Sequence, residues 1–135
     1  MSSSLKWLAL LVAASVVAAV VAGGAMYVQA RTRTRIMAEQ ATGGSSKAGR
    51  VAIERYGCGS CHVIPGVAGA TGTVGPDLGG VAMRTTVAGR LPNDPLAMVR
   101  WLEHPQAVVP GNGMPEQGVS ARDARDMAAY LYTLK

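Results

Sequence analysis

Cys58-Gly59-Ser60-Cys61-His62 is the stretch that decides the fold. Two thiols three positions apart, followed at once by an imidazole, form the attachment signature of a c-type haem. Each thiol can add to one porphyrin vinyl group, and the adjoining histidine can bind iron from one face. A structural zinc site normally needs four ligands, and the only other histidine is His104. A thioredoxin-like dithiol needs a surrounding βαβ pattern, and no run of β-branched residues flanks the motif. A plain disulfide leaves His62 without a role.

Composition agrees with a bound porphyrin. The 135 residues contain no Phe, and aromatics make up 4% of the chain. So few large rings give a small domain little with which to fill a core, and a buried macrocycle supplies the missing apolar area. From Ala48 onward, eight basic residues face seven acidic ones, a formal +1; the rest of the excess lies in Lys6, Arg31, Arg33, Arg35 and Lys47. No basic patch with interleaved aromatics occurs, which argues against a nucleic-acid partner.

Residues 1–30 read as an N-terminal transmembrane anchor. Trp7 to Val28 is nearly all apolar; a helix of that length covers about 33 Å, enough for a bilayer core. Trp7 and Tyr27 stand where interfacial aromatics belong. A cleaved signal peptide is the competing reading, because Val28-Gln29-Ala30 offers small residues at the positions a peptidase reads and Gly23-Gly24 can break the apolar helix. Arg31, Arg33 and Arg35 count toward a cytoplasmic C-terminal side. Haem attachment outside the cytoplasmic membrane of bacteria, where thiol chemistry is permissive, points the other way and is given the greater weight. Residues 31–47, with Gly43-Gly44-Ser45-Ser46, read as a flexible linker.

Residues 48–135 then form the haem domain. A helix is expected over Lys47–Tyr56, with Val51, Ala52 and Tyr56 at helical spacing and Gly57 ending it. Pro65 to Gly80 is a Gly-rich loop. A second helix is expected over Asp94–His104, capped by Asn93 or Asp94 and stopped by Pro105. Its apolar face draws on Leu96, Met98, Val99 and Leu102. Ser120 and Asp123 open a last helix with Ala124, Met127, Ala128 and Leu131 on one face. The fold class is all-α.

From about Gly49 to Lys135 the chain resembles a class I cytochrome c. Gly75-Pro76-Asp77-Leu78 resembles the family's Gly-Pro-x-Leu loop. Leu102-Glu103-His104-Pro105 and Pro110-Gly111-Asn112-Gly113-Met114 resemble its Leu-x-x-Pro and Pro-Gly-x-x-Met run, and Asp126 to Leu131 its closing helix. The resemblance implies a small fold around one covalent haem c held by Cys58 and Cys61. His62 and Met114 are then the iron ligands, with Met98 and Met127 left to the core. It implies further that Pro76 accepts the other ring N–H of His62, that Arg84 and Asn112 reach haem propionates, that Trp101 lines the methionine side, and that Leu78 and Leu102 contact the haem. Gly49 and Tyr130 match positions where the first and last helices cross.

With both axial positions filled, such a site suits one-electron transfer and no catalysis. The expected protein is a membrane-anchored carrier on the periplasmic side of a bacterial inner membrane. Its partners by resemblance are a bc1-type donor and a terminal oxidase acceptor, with lipid held by the N-terminal helix. The alternative is a fixed electron-transfer subunit of one larger membrane oxidoreductase, since Ala13-Ala14, Ala18-Ala19 and Ala22-Gly23-Gly24 permit close helix packing. A haem peroxidase or gas-binding protein would require Met114 to leave the iron.

Overall fold

The structure is a computed structural model that describes residues 2–135. It divides into two compact units between Arg33 and Thr34. In order, the elements are α1 (Ser3–Thr42), α2 (Ser46–Arg55), a 3₁₀ turn at Cys58–Ser60, a second at Val81–Met83, β1 (Thr86–Val87), β2 (Leu91–Pro92), α3 (Pro95–Glu103), α4 (Pro105–Val108) and α5 (Ala121–Leu131). The chain is mostly helical; β1 and β2 make only a minimal antiparallel ladder, Thr86 opposite Pro92 and Val87 opposite Leu91.

The part of α1 in the first unit, residues 3–33, is exposed throughout, and α1 is long and apolar enough to cross a membrane. The Arg31 guanidinium lies over the Tyr27 ring, 4.8 Å from its centre, a cation–π contact.

The flexible segment expected over 31–47 is largely helical instead. Arg, Met, Ala, Glu and Gln are good helix formers, and α1 runs on through them to Thr42. Its last turns are tied down. Ala38 and Thr42 are buried, and the Thr42 hydroxyl donates to the Ala38 carbonyl at 2.8 Å. The Glu39 carboxylate accepts from both the backbone N–H and the hydroxyl of Ser46, at 2.9 and 2.8 Å, and these bonds hold its pKa below the usual carboxylate value. Gly43 takes positive φ, so the helix ends there in a turn. A side chain at Gly44 would collide with the Arg125 carbonyl.

The second unit is built on the packing of α2 against α5. Ala52 and Ile53 of α2 meet Ala124, Met127, Ala128 and Leu131 of α5 in one buried cluster, joined by Met98 and Leu102 of α3. The helices approach so closely because of Gly49: a Cβ there would run into the Asp126 carbonyl and the Met127 nitrogen. Tyr130, the other residue expected at the crossing, is half-buried against the same cluster and donates its hydroxyl to the Pro65 carbonyl at 2.7 Å.

The helix ends follow their sequence signals. The Ser45 side chain accepts from Ala48 N–H, Asp94 from Ala97 N–H, and Ser120 from Asp123 N–H, each satisfying an orphan donor of a first turn. Of the two candidate caps for α3, Asp94 takes the role. Gly57, at φ 70°, ends α2. Two apolar faces differ from expectation. Val51 is half exposed and Leu96 is 84% exposed, because Leu96 lies about 200° around α3 from Met98 at roughly 100° per residue. Residues 105–108, expected only as the stop after α3, form the short helix α4.

Gly49→Ala should cost about 1–3 kcal/mol of stability, because a methyl forced between two packed backbones cannot be relieved by a rotamer change. Thermal denaturation of the haem-loaded protein should show a midpoint about 4–8 °C lower per kcal/mol lost.

Candidate functional site

The pentapeptide begins where α2 stops. Gly57 turns the chain, and residues 58–62 wind into a compact turn: Ser60 N–H donates to Gly57 O at 3.0 Å, and both Cys61 and His62 N–H donate to Cys58 O, at 3.2 and 3.1 Å. Cys58 and Cys61 are free thiols, each half-buried. Burial pushes the Cys58 thiol pKa up. Placing both sulfurs on one tight turn is what attachment of two thioethers to a single ring demands.

The Gly-rich loop is zipped onto this turn. Gly72 N–H donates to Gly59 O at 3.0 Å, Gly75 N–H to Cys61 O at 2.7 Å, and Leu78 N–H to Val63 O at 2.8 Å. Alternate residues 59, 61 and 63 thus accept from a chain that has no strand of its own. The glycines allow the approach: a Cβ at Gly72 would strike the Ser60 carbonyl, and one at Gly75 would strike the His62 ring.

The same loop orients His62. Its Nδ1 lies 2.7 Å from the Pro76 carbonyl oxygen. A carbonyl only accepts, so the proton sits on Nδ1 and the lone pair of Nε2 is left for a metal. Asp77 turns the loop by accepting Gly79 N–H on its side chain at 2.6 Å. Arg84 secures it from outside, donating to the carbonyls of Asp77 and Gly79. Asn93 fastens the Arg84 segment in turn: its Nδ2 donates to Val81 O and Arg84 O, both at 2.8 Å, and its Oδ1 accepts the Tyr132 hydroxyl at 2.9 Å. The Tyr132 pKa is pushed up to about 12, chiefly by burial.

Leu102 is buried in the core, and Leu78, Cys58, Trp101 and Met114 are half-buried against that same cluster. Trp101 and Leu102 come from α3, while Met114 comes from the irregular loop after α4. Met98 and Met127 are buried in the core, as expected, and Met83 is 69% exposed. Asn112, expected to reach a propionate, is engaged otherwise. Its Nδ2 donates to Pro105 O and Val109 O at 2.8 and 2.7 Å, and its Oδ1 accepts Met114 N–H at 2.7 Å. The amide shapes the loop that carries Met114. Arg84 likewise has a structural task on Asp77 and Gly79, with other guanidinium N–H groups remaining for an anion.

At the far edge of α2, Tyr56 donates to Asp123 at 2.9 Å and Arg55 pairs with the same carboxylate at 2.8 Å. Ser120, Tyr56 and Arg55 together hold the Asp123 pKa below the usual carboxylate value. This network joins α2 to the start of α5 and takes no part in the site.

The residues present fit a covalently held, axially ligated haem. Two thiols share one turn, an imidazole has its tautomer fixed, a cradle at Gly75 admits that ring and no more, and a thioether stands on an ordered loop. Gln106, which organises the loop that carries Met114, has no signal in the sequence, and Asn93 reads there only as a candidate helix cap; side-chain amides bind backbone groups wherever the fold brings them, without a motif.

The family model described as Cytochrome c matches residues 46–135, two thirds of the chain. No curated protein and no solved structure matches it.

Gly75→Ala should place a methyl against the His62 ring and disturb its bond to Pro76. The haem-to-protein ratio of the purified variant should fall well below that of the native protein, while Gly80→Ala, whose Cβ meets nothing within 4 Å, should keep its haem despite the positive φ there.

Proposed function

The chain belongs to the cytochrome c family, electron-transfer haem proteins with covalently attached haem c and its iron, and from that premise we propose that His62 and Met114 are the axial ligands and Cys58 and Cys61 the attachment points. A haem held by these residues would accept one electron from a donor and pass it to an acceptor. The protein's own residues do the rest. His62 offers Nε2 because Pro76 holds the proton on Nδ1. Met114 offers a neutral thioether, which favours the ferrous state and a positive potential. Leu78, Trp101 and Leu102 supply apolar walls that keep water from the site, and Arg84 has donors left for a propionate.

The observation that carries this reading is the fixed His62 tautomer next to two thiols on one turn. Filling both axial positions leaves no place for substrate or oxygen, so the protein is an electron carrier and not a catalyst.

Residues 1–30, which from Ser3 onward belong to α1, are the proposed single-pass anchor, and the haem domain spans about residues 48–135. The domain lies on the periplasmic side of a bacterial inner membrane, as the haem-attachment chemistry requires. Electrons come from a bc1-type complex and pass to a terminal oxidase. The near-neutral haem domain supports this reading, since a tethered carrier depends little on electrostatic steering. The small-residue face at Ala13, Ala14, Ala18, Ala19, Ala22, Gly23 and Gly24 supports a second reading, a fixed subunit of one larger oxidoreductase.

Met114→Ala should lower the reduction potential and abolish the sulfur-to-iron charge-transfer band of the ferric protein. If Met83→Ala or Met98→Ala did this and Met114→Ala did not, the ligand assignment would be wrong. The native protein should stay with membranes through a high-salt wash; recovery in the soluble fraction would remove the anchor and leave electron transfer standing.

A further inference from the structure

The geometry points to Gln106 as the positioning residue that holds Met114 in its ligating conformation, an inference that rests on the reading of Met114 as an axial ligand. Residues 109–120 contain no helix or strand, so this segment has no ladder to fix the backbone on either side of the methionine. Side-chain amides take over that task. Gln106 Nε2 donates to the carbonyls of Asn112 and Met114, at 2.9 and 2.7 Å. Gln106 Oε1 accepts the Gly111 N–H at 3.1 Å. One side chain therefore closes the loop at three backbone positions.

Asn112 completes the arrangement by accepting the Met114 N–H on Oδ1 at 2.7 Å. The two peptide groups that flank the Met114 Cα are thus each bound, the N–H by Asn112 and the carbonyl by Gln106. With both fixed, φ and ψ of Met114 are fixed, and the side chain leaves the loop in one direction. Gln106 is itself anchored. It lies in the first turn of α4, half-buried, and its backbone N–H donates to Glu116 Oε1 at 2.9 Å. The far end of the loop is thereby tied to the same helix.

A thioether is a weak, neutral ligand, so its occupancy depends on how little freedom the loop gains by letting go. Gly111 and Gly118 adopt positive φ, and Gly113 has open space around it. The loop therefore has considerable freedom to gain. Gln106 opposes that gain. Its role is distinct from packing: the side-chain amide contacts backbone polar groups only, and its loss leaves the buried cluster of α2, α3 and α5 intact.

The test uses the full, haem-loaded ferric protein and imidazole as a competing ligand at neutral pH. Gln106→Leu, similar in size but without donors, should bind imidazole at least about tenfold more tightly than the native protein, as expected when three neutral hydrogen bonds leave the closed loop. It should also lose its sulfur-to-iron band at lower pH. Gln106→Glu keeps the acceptor for Gly111 but sets a carboxylate against two carbonyls. It should shift the same way at neutral pH and recover part of the band when acidified enough to protonate the carboxyl. Should Gln106→Leu fail to retain haem, Gln106→Glu alone decides. Imidazole affinity and band unchanged in the variants that fold would overturn the role of Gln106, provided Met114→Ala binds imidazole more tightly than the native protein. If Met114→Ala does not, the ligand reading itself fails and this inference goes with it.

Discussion

Everything in the haem domain is referred to the contact of α2 with α5 at Gly49. A side chain at that position would occupy the space of the Asp126 carbonyl, so the helices meet backbone to backbone and bury Ile53 and Met127 almost completely. The attachment turn starts three residues beyond the end of α2 and inherits its direction. The start of α5 is bound to the same helix through Asp123, Tyr56 and Arg55. A helix pair that could slide would carry the attachment turn away from the loops that serve it.

Around that frame, irregular chain is made rigid without regular secondary structure. On the histidine side, backbone bonds pair residues 59, 61 and 63 with 72, 75 and 78, and Arg84 and Asn93 hold the loop from behind. On the methionine side, Gln106 and Asn112 do the equivalent with two amides. The division suits a one-electron carrier. Little motion is wanted between oxidation states, so the loops around His62 and Met114, the proposed ligands, are the places where hydrogen bonds accumulate. The apolar contribution comes from half-buried groups such as Leu78, Trp101 and Met114, packed on a core that contains no phenylalanine.

Much of this was legible in the sequence, and the parts that were not share a cause. The pentapeptide, the caps Ser120 and Asp94 and the stop at Gly57 announce themselves because each depends on neighbours within a few positions; the crossing glycine, whose partner Asp126 is distant in the chain, is legible only through the family resemblance. Residues 31–42 did not: their polar composition reads as linker, while their helix is secured by Glu39 reaching Ser46 and by burial of Ala38 and Thr42. Leu96 sits in an apolar run that reads as core, although its angular position on α3 turns it to solvent. Asn112 stood in the expected loop, but its amide binds Pro105, Val109 and Met114 in place of a propionate. Gln106 had no signal at all. Its importance arises from where three carbonyl and amide groups of a folded loop converge, which no spacing rule encodes.

The central claim is that His62 and Met114 together close both axial positions of the iron, one held by Pro76 and the other by the loop that Gln106 and Asn112 shape. Carbon monoxide added to the ferrous protein at neutral pH examines it directly. The account predicts an unchanged visible spectrum, because no position is free. A prompt carbon monoxide spectrum would contradict it, showing an open or readily vacated site and a chemistry other than simple electron transfer.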